Sequence, residues 1–139
     1  VAIAGYLADT SALARLHLPP VAWRLGPLVE HGLVATCSVV DLELLYSTRS
    51  PRDYASMAAE RRGFELLATD QEDWDRAAQI QAALAATSRT RAVGIADLLV
   101  AAVAERHRVT LLHYNRDFDI VASVTAAPVE WIVPAGSVP

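Results

Sequence analysis

Tyr6-Leu7-Ala8-Asp9-Thr10-Ser11-Ala12-Leu13 changes character at its middle. Tyr6-Leu7-Ala8 is short and apolar, as a buried strand is. Asp9, Thr10 and Ser11 are all residues whose side chains accept hydrogen bonds at a helix N-terminus. The stretch therefore predicts a strand that ends at Ala8, then a short helix through Leu13 and Leu16 that Pro19-Pro20 stops. The same strand-to-helix transition recurs downstream. Leu33 to Cys37 reads as a second strand, with Ser38 placed to cap a helix over Val39 to Tyr46. Between these two units, Trp23 to Glu30 forms a helix closed by Gly32, a left-handed C-cap. Ser50-Pro51 sets a cap before a proline at the first helical position and opens a helix to about Arg62. Phe64 to Ala68 is a third strand. Thr69 and Glu72 are spaced as a capping box for the helix Trp74 to Ala86. The polar segment Thr87 to Arg91 precedes a helix from about Ala96. Val109 to Leu112, Phe118 to Val124 and Val129 to Val133 complete the alternation as strand, short helix and strand. Short apolar strands alternating with helices indicate an α/β fold, a mostly parallel central sheet covered on both faces in three layers. Sites in such sheets form beyond the carboxyl ends of the strands.

The composition supports one compact unit. A chain of 139 residues with 53% hydrophobic and 20% charged residues has the make-up of a globular domain, and residues 1–139 are expected to form a single one. No apolar run approaches the roughly 20 residues that span a bilayer, so no membrane association is expected. Val1 to Leu7 carries no basic region, so no secretory signal is expected. Cys37 has no partner for a disulfide within the chain and is expected as a buried thiol in a reducing cytoplasm. All 12 basic residues are arginine, which excludes every active site that depends on lysine. A net charge of −4 argues against a protein that coats nucleic acid through a basic surface. It leaves room for an enzyme that gathers acids around a cation.

The candidate acids stand where the strands end. Asp9 follows the first strand directly; it can serve as a helix cap, although Thr10 or Ser11 could also fill that place. In Val39-Val40-Asp41-Leu42-Glu43-Leu44-Leu45-Tyr46, both carboxylates lie in apolar company, and a buried carboxylate must be paired, hydrogen-bonded or metal-bound. Periodicity does not choose between Asp41 and Glu43. Asp97 sits in the first turn of its helix, where the helix dipole favours an acid, on a face shared with Val100, Ala101 and Ala104. Asp117 and Asp119 follow the fourth strand in a turn of ordinary Asp-rich chemistry. Converging at one sheet edge, these acids would repel one another without a cation. Oxygen ligands with no His or Cys cluster favour Mg²⁺ or Mn²⁺ over zinc. Such an ion polarises a phosphate and activates water.

Four segments carry a resemblance: Leu7-Ala8-Asp9-Thr10-Ser11-Ala12-Leu13, Asp41-Leu42-Glu43, the helix from Ile95 to Ala104, and His113-Tyr114-Asn115-Arg116-Asp117-Phe118-Asp119-Ile120-Val121-Ala122. In this order they resemble the four motifs of PIN-domain proteins, with VapC toxins most similar. The resemblance implies a three-layer α/β/α PIN-like fold, metal-dependent endoribonuclease activity with Mg²⁺ or Mn²⁺, an RNA substrate, a VapB-type antitoxin and a homodimer. It implies that Asp9 and Asp97 are central metal ligands, with Glu43 completing the site directly or through water. Ser11 would steady Asp9, and Asp117 would be the acid of the last motif. Toxins of this type commonly read His-Tyr-Asp where this chain has His113-Tyr114-Asn115. Asparagine keeps an oxygen but loses the charge, so a weakened or inactive PIN module kept as a binding partner is the alternative.

Arg89, Arg91 and Arg116 lie in polar segments beside these motifs and are candidates for RNA phosphate contacts, for which arginine is well suited. His113 is a lesser candidate for a general base. Trp23, Trp74 and Trp131 are expected as core or interface anchors. An Asp after the first strand would also suit a receiver domain or a haloacid-dehalogenase-type phosphatase, but both generally need a lysine, and no phosphate-binding glycine loop is present.

Overall fold

The computed structural model describes residues 2–139. Its elements run β1 (Tyr6–Ala8), α1 (Thr10–Leu13), α2 (Pro19–Glu30), β2 (Val34–Thr36), α3 (Ser38–Tyr46), α4 (Pro51–Arg61) and β3 (Glu65–Leu66). They continue as α5 (Gln71–Ala85), α6 (Ile95–His107), β4 (Thr110–His113), α7 (Asp117–Ala122) and β5 (Val129–Trp131). The strands form one five-stranded sheet in the order β3-β2-β1-β4-β5, and every pairing is parallel. The expected α/β architecture is present, with a sheet that is parallel throughout.

Neighbouring residues on a strand point to opposite faces, and the core divides accordingly. Leu7, Ala35 and Leu111 pack with Val40, Ile80, Val100 and Phe118 on one face. Ala8, Val34 and Leu112 pack with Ala12, Val21 and Leu25 on the other. Helices α3, α5, α6 and α7 therefore cover one face, and α1 and α2 the other. From Leu98 to Ala104, α6 is buried on all sides, which accounts for an apolar sequence that continues around the helix. Cys37 is fully buried, and burial pushes its thiol up to about 11, as expected of an inert core cysteine.

The strand order sets the site. The chain first steps outward from β1 to β2 to β3, then returns to place β4 on the other side of β1. The crevice outside the carboxyl ends of β1 and β4 is the switch point at which such sheets bind ligands.

Several local expectations are corrected. Pro19-Pro20 opens α2 at its first positions, where a missing N–H loses nothing, rather than only ending the helix before it. Cys37, with extended backbone, takes the N-cap position of α3, and Ser38 is already helical. The capping box of α5 is Asp70 with Asp73, not Thr69 with Glu72, and the helix begins at Gln71. Thr69 Oγ1 is buried without a partner among the described residues. The third strand shrinks to two residues at the sheet edge. Of the tryptophans expected as core or interface anchors, Trp23 and Trp74 are 85% and 49% exposed, which removes only the core half of that expectation.

Candidate functional site

Asp9 ends β1 and caps α1, so the capping role does fall to it rather than to Thr10 or Ser11. Its Oδ2 accepts from the Ser11 backbone N–H at 2.9 Å and from the Ser11 hydroxyl at 2.6 Å. Its backbone N–H donates to Leu112 of β4 at 2.9 Å, which fixes it between the two central strands. The other oxygen, Oδ1, is buried and has no hydrogen-bond partner among the described residues. A buried, unpaired carboxylate oxygen is unfavourable unless a proton or a cation meets it.

The structure separates the two acids of α3. Asp41 Oδ1 accepts from Arg61 Nε at 2.9 Å and from the Thr36 hydroxyl at 2.7 Å. Arg61, itself buried, also donates to Thr36 at 2.9 Å and lies over the Phe64 ring. Asp41 thus belongs to a structural ion pair between α3 and α4. Glu43 faces the crevice, where its Oε1 accepts from the Thr10 hydroxyl at 3.0 Å. Burial raises its pKa, the Thr10 hydrogen bond opposes this, and the Asp9 carboxylate raises it further.

Asp97, in the first turn of α6, feels the whole constellation. Burial, then the carboxylates of Asp9, Glu43 and Asp117, push it up to about 7 against one stabilising contact from Asn115. That contact runs from Asn115 Nδ2 to Asp97 Oδ2 at 3.4 Å. The Asp117 backbone N–H donates to Asn115 Oδ1 at 3.0 Å, so Asn115 links the last two acids. Asp119 turns away and accepts from Trp131 Nε1 through both oxygens at 3.1 Å.

Asp9, Glu43 and Asp117 are thus all close enough to Asp97 to act on its charge. They do not form a finished cage: among the described residues, no three His, Cys, Asp or Glu side chains are grouped closely enough to enclose a metal ion. Thr10, Ser11 and Asn115 stand between them as hydrogen-bonding spacers. The unpartnered Asp9 oxygen and the all-oxygen donors around Asp97 fit a hard divalent ion. The sequence reading missed Thr10 as a partner of Glu43; its hydroxyl, one residue after Asp9, was weighed only as a cap.

Arg89 donates to Thr87 at 2.9 Å and to Ser123 at 3.4 Å, whereas Arg91 and Arg116 are exposed. Among the described residues, none of the three pairs with an acid. Beside Glu43 and Thr10 an apolar cleft of about 540 Å³ opens between Val39, Leu42, Tyr46, Trp74 and Leu99. Leu42 and Tyr46 are 65% and 93% exposed at its rim. No helix among the described residues is long and apolar enough to cross a membrane.

Comparison with known proteins matches the PIN domain family model to residues 6–124. Ribonuclease VapC21 of Mycobacterium tuberculosis (strain ATCC 25618 / H37Rv) is 45% identical over 133 residues, covering 95% of this chain and 96% of its own length. Ribonuclease VapC51 of the same strain is 42% identical over 133 residues, with 96% of each chain covered. Among solved structures, DNA-bound VapBC from Salmonella typhimurium aligns at a TM-score of 0.75 and 20% identity, over 94% of this chain and 100% of that one. VapBC-5, a toxin-antitoxin system from Mycobacterium tuberculosis, aligns at 0.59 and 26% identity, over 94% and 99%.

Proposed function

This chain belongs to the PIN-domain family, and on that premise we propose that it is a metal-dependent endoribonuclease of the VapC toxin type. Residues 1–139 form one such domain. The observation that carries this reading is the meeting of Asp9, Glu43 and Asp117 with Asp97 at the switch point, where burial and then these three carboxylates push the Asp97 carboxyl up to about 7. Relatives at 42–45% identity over nearly the whole chain are named ribonucleases, which supports the same chemistry here.

Asp9 Oδ1 and Asp97 would hold the ion, with Glu43 and Asp117 completing its shell directly or through water. The ion, Mg²⁺ or Mn²⁺, supplies charge against the scissile phosphate and lowers the pKa of a bound water. The chain's own residues do the rest. Ser11 holds Asp9 by Oδ2, which leaves Oδ1 without a protein donor among the described residues. Thr10 turns Glu43 inward. Asn115 keeps an oxygen and an amide between Asp97 and Asp117 in place of a further negative charge. Arg89, Arg91 and Arg116 are the cations proposed to meet neighbouring RNA phosphates.

A VapB-type antitoxin is the proposed inhibitor. The cleft beside Glu43, with Leu42 and Tyr46 at its rim, suits an apolar segment of that partner whose arginine would enter the acidic crevice. A homodimer and a cytoplasmic location complete the proposal. Cleavage of total RNA by the purified chain, with Mg²⁺, Mn²⁺ or EDTA, tests it. Discrete metal-dependent products that vanish in Asp97→Asn are expected. Products only after Asn115→Asp would mean a disarmed PIN module, and none in any lane would overturn the ribonuclease reading.

A further inference from the structure

His113 closes β4 with its ring fully buried. It is wedged between Phe118 of α7, at 5.2 Å between ring centroids, and Trp131 of β5, at 4.9 Å. The backbone N–H of Asn115 points at its Nδ1 from 3.2 Å. An amide N–H only donates, so Nδ1 is the acceptor and the ring proton sits on Nε2. That Nε2–H is buried and has no partner among the described residues. An unmet donor in the interior is unfavourable, and an apolar side chain would avoid it. The ring is accounted for by what its other nitrogen accepts. Its burial and the engagement of Nδ1 by the Asn115 amide suit a positioning role rather than that of a general base.

We propose that His113 is a positioning residue whose Nδ1 sets the turn that carries Asn115 and Asp117 against Asp97. Three hydrogen bonds run in sequence from it. Asn115 N–H donates to His113, Asp117 N–H donates to Asn115 Oδ1 at 3.0 Å, and Asn115 Nδ2 donates to Asp97 Oδ2 at 3.4 Å. The start of this chain cannot swing, because Phe118 and Trp131 hold the ring, and Trp131 is itself tied to Asp119 of α7. Without an acceptor at Nδ1, the Asn115 N–H must find another, and the spacing between Asp97 and Asp117 is no longer set. Here a side chain that touches neither ion nor RNA tunes the metal site, and the inference rests on the metal-site reading above.

Two measurements test it. In metal-free, isotope-labelled protein, nuclear magnetic resonance should find His113 with its proton on Nε2 and the Asn115 amide protected from exchange. A proton on Nδ1 or an unprotected amide overturns the proposal without reference to metal. Mn²⁺ titration calorimetry then compares the native chain with His113→Asn, whose side-chain oxygen falls near Nδ1, and with His113→Leu, which fills space without accepting. His113→Leu should lose about tenfold or more in Mn²⁺ affinity, and His113→Asn should stay within about threefold of native. Thermal stability should rank the other way, since leucine packs better in this apolar pocket. Affinities that follow thermal stability instead, or a native affinity in His113→Leu, would overturn it. If the native chain binds no Mn²⁺, the metal reading fails separately. Loss of Asn115 amide protection in His113→Leu and its retention in His113→Asn then decide the role of His113; should His113→Leu not fold, the native chain and His113→Asn decide it by the same amide.

Discussion

The Ser11 hydroxyl donates to Asp9 Oδ2 at 2.6 Å and at the same time accepts the backbone N–H of Tyr114 at 2.9 Å. One hydroxyl thereby orients the first acid and joins the ends of β1 and β4. Ser11→Ala should cost about 1 kcal/mol of stability and about tenfold in metal affinity. Urea denaturation and Mn²⁺ calorimetry read the two effects apart.

The two acids of α3 should respond oppositely. Asp41→Ala leaves buried Arg61 without its carboxylate, so about 3 kcal/mol of stability should be lost while metal affinity in the folded fraction persists. Glu43→Gln removes one of three repelling carboxylates around Asp97. It should keep or raise the melting temperature and weaken metal binding and RNA cleavage by at least about tenfold. Thermal melts with and without Mn²⁺ distinguish the pair.

Asp97 makes stability depend on pH. Its carboxyl is raised from 3.8 to about 7 in the fold. The folded, metal-free chain therefore holds a proton that the unfolded chain has released. This contribution is fully present below about pH 4 and is lost as pH rises through about 7. Melting temperature should fall with pH across that window, and the slope should flatten in Asp97→Asn. Metal binding displaces the proton, so calorimetry in buffers of different ionisation enthalpy should find about one proton released at pH 6 and almost none at pH 8.

Asn115→Asp replaces the amide that now donates to Asp97 with a further carboxylate. Without metal the chain should become less stable, by about 1 kcal/mol, because a stabilising contact turns repulsive. With Mn²⁺ the order should reverse, with affinity rising by about tenfold through the added charge. Melting curves at matched pH with and without Mn²⁺ check the crossover.

The positions of strands and helices were legible because they depend on near neighbours. Tyr6-Leu7-Ala8 forms its strand, and Pro51 opens its helix behind the Ser50 cap, as read. Caps were less legible where several polar residues adjoin. Asp9 took a cap left open among three residues, and Asp70 took the place assigned to Thr69. Trp23 and Trp74, expected as core or interface anchors, lie outside the core, because hydrophobicity alone does not reveal whether a helix face meets the sheet or the solvent.

The amino-acid order by itself determined a parallel α/β sheet with acids after β1 and β4, because strand period, helix caps and the residues following each strand are local properties. Tertiary structure alone decided which acids face the crevice. Asp41 was withdrawn by Arg61, 20 residues away, and Glu43 was turned inward by Thr10, 33 residues away. Asn115 reached Asp97 across 18 residues. A carboxylate's role follows from the donor or charge beside it, and that neighbour is supplied by packing between elements rather than by spacing along the chain.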